Sequence, residues 1–176
     1  TLFRSIEDAG GHMNAYTGRE TTAYYIHILK DHTDLALDVL ADMVQNSIFP
    51  EDELERERAV ILQEIHMYED TPDDVVFERA QMTAYPNQAL GASGLGTIEI
   101  VNKIQRNDLK DYISKRYTSD KIVLSAAGAV DHDEFVRKVE ALFSSVGSAR
   151  KATDFISPAK YNPSASLVEK STEQAH

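Results

Sequence analysis

The chain has 176 residues, with 18 Lys and Arg against 29 Asp and Glu, a net charge of −11, 42% hydrophobic residues and no cysteine. That hydrophobic share supports a packed core rather than global disorder, and the missing thiols exclude disulfides, zinc fingers, iron–sulfur ligation and a cysteine nucleophile. The acidic balance argues against a nucleic-acid partner, and no apolar run reaches the roughly 20 residues of a membrane-spanning helix.

Residues 1–9 read as the last turns of a helix, stopped by Gly10-Gly11. His12 to Thr17 is a strand, 17–20 a turn around Gly18, and Thr21 to Leu29 a second strand rich in β-branched and aromatic residues. Thr22, Tyr24, Ile26 and Ile28 alternate onto one face. Ala23, Tyr25, His27 and Leu29 take the other, where His27 is expected to be packed. Apolar residues at helical spacing predict a helix from Asp34 to Asn46. Pro50 opens another that runs to about Tyr68, its positive end favoured by Glu51, Asp52 and Glu53. A helix follows from Thr71-Pro72 to about Ala84, then a Gly/Pro loop over 85–96 and a helix from Arg106 to Tyr117. Lys121 to Ala129 reads as a buried strand, and Asp131 with Glu134 as an acidic capping box for a helix to about Phe143. Residues 145–166 have linker composition, and 167–176 read as the start of a further strand. The order of elements predicts an α+β fold, an antiparallel or mixed sheet with helices on one face. Beginning on Thr1 in mid-helix and ending on Glu173-Gln174-Ala175-His176, the chain reads as a piece of a longer protein.

The helix over 51–68 holds the pattern that points most directly to chemistry. At 100° per residue, Leu54, Val60, Ile61, Ile65, Met67 and Tyr68 fall on one arc, with Glu53, Glu57 and Glu64 inside it. Glu57 and Glu64 are two turns apart and stack nearly in line. A carboxylate on an inward face needs a metal, a hydrogen bond or a counter-charge. One reading is a metal ligand or catalytic carboxylate; the other is pairing with Arg56 or Arg58, or a place at the edge of the buried face. The six histidines form no HxxH, HxxxH or HxxEH pair, so they supply no complete zinc site. Gly91 to Gly96 lacks nucleotide-loop spacing, Ser93 and Ser125 lack a nucleophile elbow, and the acidic run Glu69 to Asp74 reads as a helix start rather than a calcium loop.

Five blocks, in order and with consistent spacing, carry a resemblance. They are Ile6 to Tyr25 (IEDAGGHMNAYTGRETTAYY), Leu54 to Ile65 (LERERAVILQEI), Leu90-Gly91 with Leu95-Gly96-Thr97, Asp108-Leu109 through Tyr112 and Tyr117, and Ala126 to His132. The chain resembles the pitrilysin/insulinase family of inverted-motif zinc metallopeptidases, and within it the branch that holds processing-peptidase β subunits and their bacterial homologues. The resemblance implies a half-shell peptidase domain over residues 1–144 whose HxxEH helix, with two histidine ligands and the general base, precedes residue 1. It implies Zn2+, with Glu64 as the third ligand and Glu57 supporting a ligand histidine. It places Asn14, Ala15, Tyr16 and Thr17 on an edge strand to which an extended peptide adds. The implied activity is hydrolysis of peptides, presequences among them, by water activated on zinc. The implied partners are an unfolded polypeptide and a second half or subunit that closes the shell. The alternative within the same fold is a non-catalytic scaffold subunit. A bacterial cytoplasmic location is expected, with the mitochondrial matrix or periplasm as alternatives.

Overall fold

The computed structural model describes residues 2–148, 157–167 and 169. Its elements are α1 (Leu2–Asp8), β1 (His12–Thr17), β2 (Thr22–His27), α2 (Thr33–Gln45), α3 (Glu51–Glu69), α4 (Pro72–Ala84), α5 (Ile98–Lys103), α6 (Arg106–Arg116) and α7 (His132–Phe143). Single 3-10 turns stand at Lys30–His32 and Ala89–Gly91. The predicted α+β class holds. The chain divides into two compact units, Thr1–Ile48 with Leu109–Thr153 and Phe49–Asp108 with Asp154–His176.

In the first unit, α1 ends as its sequence predicts. Gly10 takes φ +72° and donates its N–H to Glu7 O, and Gly11 N donates to Ile6 O, both at 2.8 Å. The chain then enters an antiparallel hairpin in the register His12↔His27 through Thr17↔Thr22. Alternation sends Met13 and Ile26 inward, where they pack with the fully buried Ile6, with Val39 of α2, and with Ile28, Leu35, Leu40 and Met43. His27 lies on the opposite face, which is exposed, and its ring stands edge-on to Tyr25 at 5.6 Å. The expectation of a packed His27 is corrected: the core takes the Tyr24/Ile26/Ile28 face, and a period of two sends His27 outward.

Helices α2 and α7 are tied at two points. Gln45 Nε2 donates to Leu142 O at 3.0 Å, and Lys138 Nζ lies 2.5 Å from Asp34 and 2.6 Å from Glu134. Asp131 caps α7, its Oδ1 accepting Glu134 N–H at 2.8 Å. The Glu134 carboxylate turns to Lys138, so half of the predicted capping box forms. The Tyr24 and Tyr117 hydroxyls share a hydrogen bond of 2.9 Å, which joins β2 to the residue following α6.

Residues 121–129, expected as a buried strand, form no strand. Ile122 and Leu124 are half-buried, but Val123 is 91% exposed. The sole sheet among the described residues is β1–β2, so this segment has no ladder partner for its N–H and C=O groups.

In the second unit, α3 buries Leu54, Arg58, Ile61, Leu62, Ile65 and Tyr68 fully or in part, one stripe at helical spacing. The Thr71 hydroxyl donates to Met67 O at 2.9 Å and the Tyr68 hydroxyl to Asp74 O at 2.8 Å, closing the corner into α4. Helix α5 lies where the sequence predicts no helix. Six residues are too few to show a period, yet Thr97 signals its start, with Oγ1 accepting Ile100 N–H at 3.2 Å. Residues 157–167 contain no helix or strand but run along the end of α4. Asn162 N donates to Ala84 O at 2.8 Å, and Gln88 and Lys160 exchange two hydrogen bonds of 2.9 and 2.7 Å. The strand start expected at 167–176 lies, apart from Leu167 and Glu169, outside the described residues.

Candidate metal ligands and a free strand edge

Helix α3 presents its carboxylates differently from the simple arc. Glu53, Glu57 and Glu64 are all exposed, as are Val60 at 47% and Met67 at 66%. Taking Ile65 as the centre of the buried stripe, Glu57 and Glu64 lie about 80° and 100° round the helix on the same side. The expectation of inward carboxylates is thus corrected to a place at the edge of the buried face. The reason is Arg58, which sits about 20° from the centre and is only 11% exposed in its side chain. It occupies space that an all-apolar arc assigns elsewhere.

The arginines do not claim these two glutamates. Arg56 pairs with Asp52 at 3.7 Å and Glu53 at 2.5 Å. Arg58 pairs with Glu55 at 3.1 Å and donates to the carbonyls of Val101 and, at 2.7 Å, Ile104. Among the described residues the carboxylates of Glu57 and Glu64 make neither a hydrogen bond nor an ion pair. Each carboxylate is an accessible oxygen donor of the kind zinc takes from glutamate, but the two lie about 11 Å apart along the helix and do not share one ion. No three His, Asp or Glu among the described residues come together as a metal site. His66, also on α3, pairs with Glu69 at 3.8 Å.

The second candidate element is β1. Asn14 and Tyr16 share the exposed hairpin face with His12, Tyr25 and His27, while Ala15 and Thr17 alternate onto the Met13 face. All four of Asn14, Ala15, Tyr16 and Thr17 are exposed, Tyr16 at 59%. Its ring packs against Tyr25 with centroids 6.4 Å apart. Asn14 Oδ1 accepts the Ala15 N–H at 2.8 Å. Among the described residues β1 has β2 as its single ladder partner, so its other edge pairs with no strand.

Two titrations in the first unit are perturbed: hydrogen bonds to Asp34 and Glu134 push the Lys138 ammonium up, and Tyr117 is shifted as well. Burial pushes the Tyr117 hydroxyl well above the ordinary tyrosine range, and the hydrogen bond with Tyr24 adds to the effect.

Residues 1–98 match the family model described as insulinase (peptidase family M16), and residues 103–176 match the peptidase M16 inactive domain. The chain is 42% identical over 173 residues to an "uncharacterized zinc protease" of Rickettsia felis, covering 98% of this chain and 42% of that protein. It is 46% identical over 147 residues to a probable mitochondrial-processing peptidase subunit beta of Arabidopsis thaliana, covering 84% and 28%. Among solved structures, a protease from Helicobacter pylori superposes with a TM-score of 0.83 at 21% identity, over 92% of this chain and 39% of that one, a likeness of fold alone. An M16-like peptidase from Alicyclobacillus acidocaldarius gives 0.74 at 26% identity, over 91% and 36%. The chain therefore spans between 28% and 42% of the length of these relatives.

Proposed function

The chain belongs to the insulinase family of peptidases, family M16, and from that premise we propose that the intact protein is a zinc-dependent metalloendopeptidase acting on extended peptides. The single observation that supports the reading best is Glu64, an accessible carboxylate with no partner among the described residues, held on a helix whose position is set by other groups. In this reading Glu64 is a zinc ligand, and Glu57, two turns earlier on the same flank, hydrogen-bonds a ligand histidine from outside this chain. Zinc, when bound, supplies a Lewis acid that polarises a peptide carbonyl and makes water nucleophilic near neutral pH.

The part played by β1 is orientation. A substrate strand pairing with its open edge would take main-chain hydrogen bonds along Asn14, Ala15, Tyr16 and Thr17, with little regard for side-chain identity. The exposed Tyr16–Tyr25 pair would then lie beside alternate substrate side chains. Peptides and presequences are the substrate class, a second half or subunit closes over them, and a bacterial cytoplasmic location belongs to the same reading. The name of the Rickettsia relative supports the zinc peptidase assignment, and that of the Arabidopsis relative supports presequences.

The test is Glu64→Gln in the intact protein. The substitution keeps shape but removes the charge, so zinc content and peptide cleavage should both fall by at least about tenfold while circular dichroism is unchanged. Undiminished zinc content would overturn the assignment of Glu64. A protein that binds peptides with Glu64 intact but never cleaves them would place it with scaffold subunits instead.

A further inference from the structure

We propose that Arg58 is the positioning residue for the candidate metal-binding flank of α3, acting by docking its guanidinium on the C-terminal carbonyls of α5. This rests on the reading of Glu64 as a zinc ligand. The position is unusual for its chemistry: Arg58 is the one charged residue in the partly or fully buried stripe of α3, flanked by Leu54, Ile61, Leu62 and Ile65. A cation there requires compensation on every donor. It receives it from three sides, from Glu55 at 3.1 Å, from Ile104 O at 2.7 Å and from Val101 O. The two carbonyls lie at the C-terminal end of α5, where backbone oxygens lack helical donors and the helix dipole is negative.

An apolar stripe alone tolerates rotation, because hydrophobic contact has no preferred direction. Hydrogen bonds from a planar fork to two separate carbonyls do have one. Arg58 therefore fixes the roll of α3 about its own axis, and the flank bearing Glu57 and Glu64 follows from that roll. A turn of only about 20° would carry a carboxylate oxygen on this helix through more than about 1 Å, beyond the tolerance of about 0.5 Å that a preorganised site needs. Lysine cannot reproduce the arrangement, since a single ammonium has no fixed fork.

The experiment uses the intact protein, with Zn2+ as the probe. Arg58→Met, Arg58→Lys and Glu64→Gln are compared by chelator competition for zinc and by hydrogen exchange of the metal-free proteins. Expected for Arg58→Met is about tenfold weaker zinc binding, in line with losses at residues that orient ligands, and faster exchange over residues 51–69 and 98–104. Arg58→Lys should fall between it and the parent. A purely structural role would lower the melting temperature and leave zinc affinity untouched. Wild-type zinc affinity in Arg58→Met, with Glu64→Gln deficient, overturns the proposal. Should Arg58→Met fail to fold, parental zinc affinity in Arg58→Lys does the same. Undiminished zinc binding in Glu64→Gln overturns the reading beneath it, whatever Arg58 does.

Discussion

Gly91 is expected to be among the least replaceable positions in the second unit. A Cβ added there would meet Tyr85 O at 2.0 Å and Tyr85 C at 2.8 Å, where ordinary contact begins at 3.4 Å. Tyr85 would have to withdraw by about 1.4 Å to restore normal carbon–oxygen contact. It cannot do so freely. Its N–H holds Gln81 O at 3.0 Å as the C-cap of α4, and its ring packs edge-on against Tyr161 at 6.1 Å. Overpacking usually costs about 1–3 kcal/mol, and because the obstacle is backbone, Gly91→Ala should cost about 3 kcal/mol, the top of that range. At roughly tenfold per 1.4 kcal/mol, amides of α4 and of residues 157–167 should exchange about a hundredfold faster. Gly94 is the control: a Cβ added there would meet nothing within 4 Å, so Gly94→Ala should stay within about 0.5 kcal/mol of the parent. Equal exchange in the two variants would refute the steric argument.

Two more outcomes follow from the first unit. Tyr117 has its folded-state pKa raised, so the folded protein holds a proton that the unfolded chain releases near the ordinary tyrosine value of about 10. Stability should therefore decline as the pH rises above that value, and Tyr117→Phe should make the decline shallower, as read by urea unfolding between neutral pH and about 11. An unchanged pH slope would argue that Tyr117 is not shielded. Asp131→Ala removes the one side-chain cap of α7 and should cost about 1 kcal/mol. Faster exchange confined to the first turn, His132 to Phe135, would be its signature; no change there would show that the cap is dispensable.

Much of the architecture is legible in residue order because the signals are local. The Gly10-Gly11 stop, the alternation through Thr22 to Ile28, and the apolar spacing of α2 and α3 each depend on a few neighbours, and each of these elements forms within a residue or two of its expected bounds. The resemblance is legible for the same reason, since ordered blocks such as NAYTGRE and ERERAVILQE survive in sequence without reference to what they touch. The candidate ligands are identified in this way, but the environment that periodicity assigns to them is not correct. Periodicity alone puts Glu57 and Glu64 inside the buried arc, because it draws that arc from apolar side chains and leaves Arg58 out of it. Only tertiary packing supplies the carbonyls of Val101 and Ile104, which make a buried guanidinium tolerable and move the stripe round the helix. Similarly, apolar residues over 121–129 define a strand only if another strand lies beside them, and alternation in β2 cannot say which face the core will choose. By itself the sequence determined most of the elements, the family and the residues worth testing. Which faces are buried was decided only where distant segments met, because burial and hydrogen-bond satisfaction depend on partners that lie far apart in the chain.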